Sequence, residues 1–165
     1  MVYSDSVTDS VTSELGTGLL RSVPRMSVPG TDGMSAAAVR AALELSVDQL
    51  GDLTVQLDLQ VGPRRNYPVY GPGELRQLAA VCRLRQVRAP LSDVAVRAVR
   101  DYAPAVRAGS GWLVAVPGTG ESWVCAHLLS PADLVGQIGL AGAGLLLDLA
   151  HTAAAADRLY TARLR

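Results

Sequence analysis

Lysine and phenylalanine are both absent from these 165 residues, there are only two cysteines and two histidines, and 4% of the chain is aromatic and 18% charged. Each shortage excludes something. Cys82 and Cys125 cannot build the disulfide framework of a small secreted domain, and no charged segment followed by an apolar one opens the chain, so a reducing cytosol is the expected compartment. Fifteen arginines balance fifteen Asp and Glu, and the zero formal charge excludes a global polycation; a nucleic-acid surface would have to be local. The uncharged stretch at 134–147 spans fourteen residues, short of the roughly twenty that cross hydrocarbon. No membrane partner is expected. What is present is 49% hydrophobic residues, enough to offset the ordering entropy of one ordinary domain.

The chain divides by texture into three parts. Residues 1–33 are rich in Ser, Thr, Gly, Val and Pro and are expected to form a flexible tail, with Leu15, Leu19, Leu20 and Val23 at the spacing of a short helix. Residues 34–107 read as helical around one turn-rich stretch. Ser35 caps a helix through Val39, Ala42 and Leu43, and Ser46 caps another with Leu50, Leu53 and Leu57 on one face, a helix-turn-helix pattern. The Gly- and Pro-bracketed segment 62–73, holding Tyr67, Val69 and Tyr70, predicts a small β-wing. Leu75, Leu78, Val81 and Leu84 then step by three along a helix that Pro90 ends, and a second helix opens at Leu91-Ser92-Asp93 with Leu91, Val94 and Ala98 inward. Residues 109–165 read as a separate unit: a β-hairpin of 112–116 and 123–128, followed by one long helix from Ser130-Pro131 through Leu134, Ile138, Leu145, Leu149 and Ala156 to Tyr160.

Within the middle part, Tyr67-x2-Tyr70-x3-Glu74-Leu75-x2-Leu78-x2-Val81-x2-Leu84-Arg85, followed by Leu91-x2-Val94-x3-Ala98, resembles the wing and following helices of the MerR-type winged-helix transcription regulators. Extended back through Leu45-Ser46-Val47-Asp48-Gln49-Leu50, the resemblance covers about residues 34–100. It implies a DNA-binding regulator that pairs through a helix after the winged domain. The chain departs from the family's pattern at several points. The family usually carries Gly where Glu44 and Arg88 stand, and an Arg plus aromatic pair where this chain has Gly51, Asp52 and Leu53. The segment 47–57 therefore contains Asp48 and Asp52 but no arginine, and repulsion from phosphate works against the counterion release that drives most DNA affinity.

Further along, the charge reverses. Between Gln60 and Arg100 lie eight arginines against Glu74 and Asp93, a local excess of six, which is the sign a backbone-tracking surface needs. The residues assigned to DNA on resemblance and charge are Arg64 and Arg65 at the wing tip, Tyr67 and Tyr70 ordering the wing, Arg76 near a helix start, and Arg83. The same arginines also suit an ordinary solvated face in a lysine-free chain, and the tyrosines suit hairpin packing.

No catalytic, metal or cofactor site is expected. Gly118-Thr119-Gly120-Glu121-Ser122 lacks the Gly-Lys-Ser/Thr ending of a phosphate loop. Cys125, His127 and Asp148 offer a thiol, an imidazole and a carboxylate without any sign of an oxyanion hole, and adding His151 or Cys82 matches no standard zinc spacing. The expected molecule is thus an α+β protein: a mainly helical winged helix-turn-helix, then a hairpin and a long C-terminal helix that dimerises or senses. Its expected partner is duplex DNA, with a second copy through the last helix; the alternative is a non-catalytic adaptor whose winged helix has lost DNA binding and holds a protein.

Overall fold

The computed structural model describes residues 33–64, 67–87, 92–119, 123–130, 132–136 and 145–164. The fold is mixed α+β, with two small antiparallel sheets and helices packed between them. The expected tail lies almost wholly outside the described residues.

The first sheet assembles the wing. Strand β1 (Met34–Ser35) leads into α1 (Ala36–Leu43), a tight turn and α2 (Val47–Gln56), after which β2 (Gly62–Arg64) and β3 (Tyr67–Tyr70) form the expected hairpin. The strand order is β1-β3-β2, so the chain's return places β1 beside β3, with Met34 opposite Tyr70. This two-residue strand is too short to leave a periodic trace in the sequence.

Local chemistry fixes both helix starts. Ser35 Oγ accepts from the Ala38 amide, and at α2 Ser46 and Gln49 complete a reciprocal capping box that satisfies two backbone N–H groups. Between the helices, Glu44 ends α1 at φ 55°, in the left-handed region that glycine enters without cost.

Helices α3 (Pro72–Val87), α4 (Ser92–Asp101) and α5 (Ala103–Ala108) follow. The three-residue stripe of α3 is buried as expected, since Leu75, Leu78, Val81 and Leu84 all lie in the core. On α4 the buried set is Ala95, Val96, Ala98 and Val99, with Val94 only half-buried, so the inward face is rotated from the expected one. Leu91 lies outside the described residues.

The C-terminal part corrects one expectation. The hairpin forms, β4 (Trp112–Pro117) against β5 (Trp123–Leu128), but there is no continuous helix from 130 to 160. Residues 132–136 are helical (α6), and Leu145–Asp148 is a strand, β6, paired antiparallel with the other edge of β4; helix α7 (Leu149–Leu164) begins only after it. Leu145-Leu146-Leu147 has no amphipathic period to betray a strand, yet the hairpin alone would leave one edge of β4 without hydrogen-bond partners, and pairing satisfies it. Asp148 ends the strand and caps the helix, its carboxylate accepting from the His151 amide at 2.9 Å.

A single hydrophobic cluster joins the winged part to this second sheet. It runs from Val39 and Leu53 through Leu75 and Leu78 to Leu113, Leu147, Leu149 and Ala156. Each fully buried leucine contributes about 1.5–3 kcal/mol. Helix α7 lies on α3 and α5 of its own chain. In α7 the residues Leu149, Thr152, Ala153 and Ala156 are buried against the rest of the chain, while most of the Leu-rich stretch 134–147 expected to meet a partner subunit lies outside the described residues. Among the described residues, no helix is long and apolar enough to cross a membrane.

Candidate functional site

In DNA-binding helix-turn-helix proteins the outward face of the second helix is the one that enters the major groove. Here Leu50 and Leu53 turn that helix's apolar stripe into the core and leave Asp48, Gly51, Asp52 and Val55 outward at one-turn spacing. Val47 is 63% exposed and Val55 80%. No cation belongs to this helix; its face is acidic with apolar ends. Gly51 in mid-helix has no internal reason, since a side chain added there would meet nothing within 4 Å.

At the wing the two tyrosines separate in role. Tyr67 is 73% exposed, whereas Tyr70 is 3% exposed, sits in the core cluster and places its hydroxyl 3.0 Å from Thr54 Oγ1. Tyr70 thus ties the wing to α2 and offers nothing to a ligand. Arg65 and the side chain of Arg64 lie outside the described residues, as does Arg88.

Arg76 is not available to phosphate. Its Nε donates to Asp157 Oδ1 at 2.9 Å and its Nη2 to Asp157 Oδ2 at 2.6 Å, a bidentate pair, while Nη1 donates to the Arg107 carbonyl. The Asp157 hydrogen bonds push the guanidinium above its ordinary pKa, against the opposing pull of burial. Next to it the fully buried Gln77, with its amide oxygen facing Arg107, accepts from Arg107 Nε at 2.9 Å. One polar network therefore clamps α3, α5 and α7 together. Asp157 lies 81 residues from Arg76, and nothing local to either residue announces the pairing.

The remaining arginines of the basic stretch diverge. Arg83, Arg97 and Arg100 are exposed, and Arg100 approaches Asp101 at 3.7 Å. Arg85 is half-buried with its Nε enclosed and without a hydrogen-bond partner. Arg97 and Arg100 line a groove with Gln56 and Asp93, which brings two cations and one acid of α4 beside the end of α2.

The thiol, imidazole and carboxylate of the second sheet do not converge. Cys125 and His127 share one face of β5, but Asp148 pairs across from Trp112 on the opposite face and is committed to capping α7. His127 Nε2 donates to the Ser110 carbonyl at 2.8 Å. Burial pushes both thiols up, Cys82 and Cys125 alike, which is the reverse of nucleophile activation. Among the described residues, no group of three His, Cys, Asp or Glu is placed to hold a metal ion.

Compared with known proteins, the chain matches no family model, no curated protein and no solved structure.

Proposed function

We propose that this chain is a non-enzymatic, MerR-like winged-helix module of the cytosol whose helix-turn-helix face holds a protein partner. The observation that carries the reading is the outward face of α2, where Asp48 and Asp52 flank Gly51 between two exposed valines. Such a face repels a phosphate backbone and suits a surface with apolar and cationic groups. The commitment of Arg76 to Asp157 supports it further by removing one expected phosphate contact. Glu44 supports the resemblance itself, because the left-handed turn it occupies is where the family places glycine. The two free thiols suit a reducing compartment.

Contact with duplex DNA is the second reading, favoured by Arg97 and Arg100 standing beside the end of α2. A salt series of binding to random duplex DNA separates the two. The protein-partner reading expects no binding tighter than about 100 μM at low ionic strength, the weak edge of ordinary non-specific affinity. A dissociation constant below about 1 μM that weakens steeply with salt, and that is lost in Arg64→Ala/Arg65→Ala, decides for DNA. On the positive side, a photo-crosslinking residue at Val55 should give one discrete protein adduct in cells, absent when the same residue replaces exposed Arg158 and lost in Asp48→Arg/Asp52→Arg.

A further inference from the structure

A second groove opens on the other side of α4, between that helix and β5. Val94, Arg97, Ala98 and Asp101 form one wall, Trp123 and Cys125 stand on the other, and the open groove has a volume of about 280 Å³. The floor is held in place. Tyr102 donates its hydroxyl to the Cys125 carbonyl at 3.4 Å, and its ring lies 5.9 Å from that of His127, which is itself anchored on Ser110.

What distinguishes the groove is its two charges. Arg97 and Asp101 are four residues apart on one helix face, the spacing at which an ion pair closes, yet no ion pair forms between them. Asp101 instead lies 3.7 Å from Arg100. Arginine preceding the acid is the less favourable order for such a pair, and Asp101, though in this long exposed contact with Arg100, still lines the groove beside Arg97. Both are felt at the same sulfur: beyond the effect of burial, Asp101 pushes the Cys125 thiol up and Arg97 pulls it down.

We propose that this groove binds a small aromatic acid that also carries a hydrogen-bond donor. Its carboxylate pairs with the Arg97 guanidinium, its ring lies on the Trp123 indole and the Val94 and Ala98 side chains, and its donor reaches Asp101. The volume is just below that of sites for drug-sized ligands and has room for one ring. The proposal stands independently of the α2 face, and makes the module one whose partner binding a metabolite can accompany.

Three probes test it on the full chain: 4-hydroxyphenylacetate, which has both groups; 4-ethylphenol, which lacks the carboxylate; and phenylacetate, which lacks the hydroxyl donor. Calorimetry reads affinity, and the two indole N–H resonances, from Trp112 and Trp123 and assigned with Trp123→Phe, report the place. The expected result is that 4-hydroxyphenylacetate shifts the Trp123 resonance and binds about tenfold more tightly than 4-ethylphenol, the worth of one charge-assisted pair. Arg97→Gln should cost that probe the same factor and leave 4-ethylphenol unchanged. Asp101→Asn should erase its advantage over phenylacetate. Both side chains are exposed, so an unchanged melting temperature confirms that the variants fold. Absence of any Trp123 shift up to about 5 mM, equal binding of 4-ethylphenol and 4-hydroxyphenylacetate, or undiminished affinity in Arg97→Gln would each overturn the proposal.

Discussion

Removing the Arg76 guanidinium tests most directly how the two halves of this molecule are joined. Arg76→Ala deletes both hydrogen bonds to Asp157 and the one to the Arg107 carbonyl. Freely exposed ion pairs contribute about 0–1 kcal/mol, whereas breaking a buried one costs about 3–5 kcal/mol. The Arg76 side chain is 24% exposed and that of Asp157 42%, so this pair falls between those limits. Bidentate geometry and the extra carbonyl move the figure up, and solvent contact moves it down, for a cost of about 2 kcal/mol. In a chain of this size that lowers the melting temperature by about 6 °C. Asp157→Ala should cost less, about 1.5 kcal/mol, because the Arg107 carbonyl keeps its partner. The double variant should cost roughly 1 kcal/mol less than the two singles added together. Thermal unfolding by circular dichroism measures all three variants, and hydrogen exchange in α7 should quicken selectively. If Arg76→Ala melts within about 1 °C of the parent chain, or the pair proves additive, the clamp is not what holds α7 on α3. A DNA-facing Arg76 would give the converse pattern: unchanged melting and weakened DNA binding.

Glu44→Gly should stabilise the fold by about 1 kcal/mol, because the residue sits at φ 55° where a side chain is strained; chemical denaturation showing a loss instead would mean that Glu44 makes a contact outweighing that strain. Gly111→Ala should destabilise by more than about 1 kcal/mol, since φ is 77° and the added methyl would stand 2.3 Å from the Leu128 carbonyl oxygen, and a neutral result in the same assay would refute that crowding. The thiols carry a pH prediction. Raised folded-state pKa values mean that the native chain holds these protons longer than the unfolded one, so stability is unaffected below the unfolded thiol pKa of about 8.5 and falls as pH rises from there toward the folded values. Iodoacetamide labelling should accordingly reach half-maximal rate at higher pH than for free cysteine, Cys82→Ser and Cys125→Ser should each remove part of the alkaline loss, and labelling at the free-cysteine rate would contradict the burial of both groups.

Much of the winged part was legible because its signals are local. The Ser46 cap of α2, the Gly and Pro brackets of the wing and the three-residue steps of α3 each act within one or two turns of chain, and each appears where the spacing predicts it. The second sheet was legible only in part. A hairpin announces itself by its turn, but β6 is four residues of uninterrupted leucines and an aspartate, and only the open edge of β4 makes it a strand. Arg76 shows the same limit for the candidate site. Its position in a basic stretch says that it is a cation near a helix start, and says nothing of Asp157.

Composition and short-range spacing therefore settled that the chain folds as an α+β unit, where its first helices begin, and that the outward face of α2 is acidic, because capping, turn chemistry and the 3.6-residue period need only neighbouring side chains. Three-dimensional packing alone settled which arginines are spent and which are open, that Tyr70 faces inward, and that α7 belongs against its own chain's α3. Those outcomes depend on electrostatic and edge-pairing partners far away in the chain, and neither a charge nor a strand edge carries a mark of the distant group that will satisfy it.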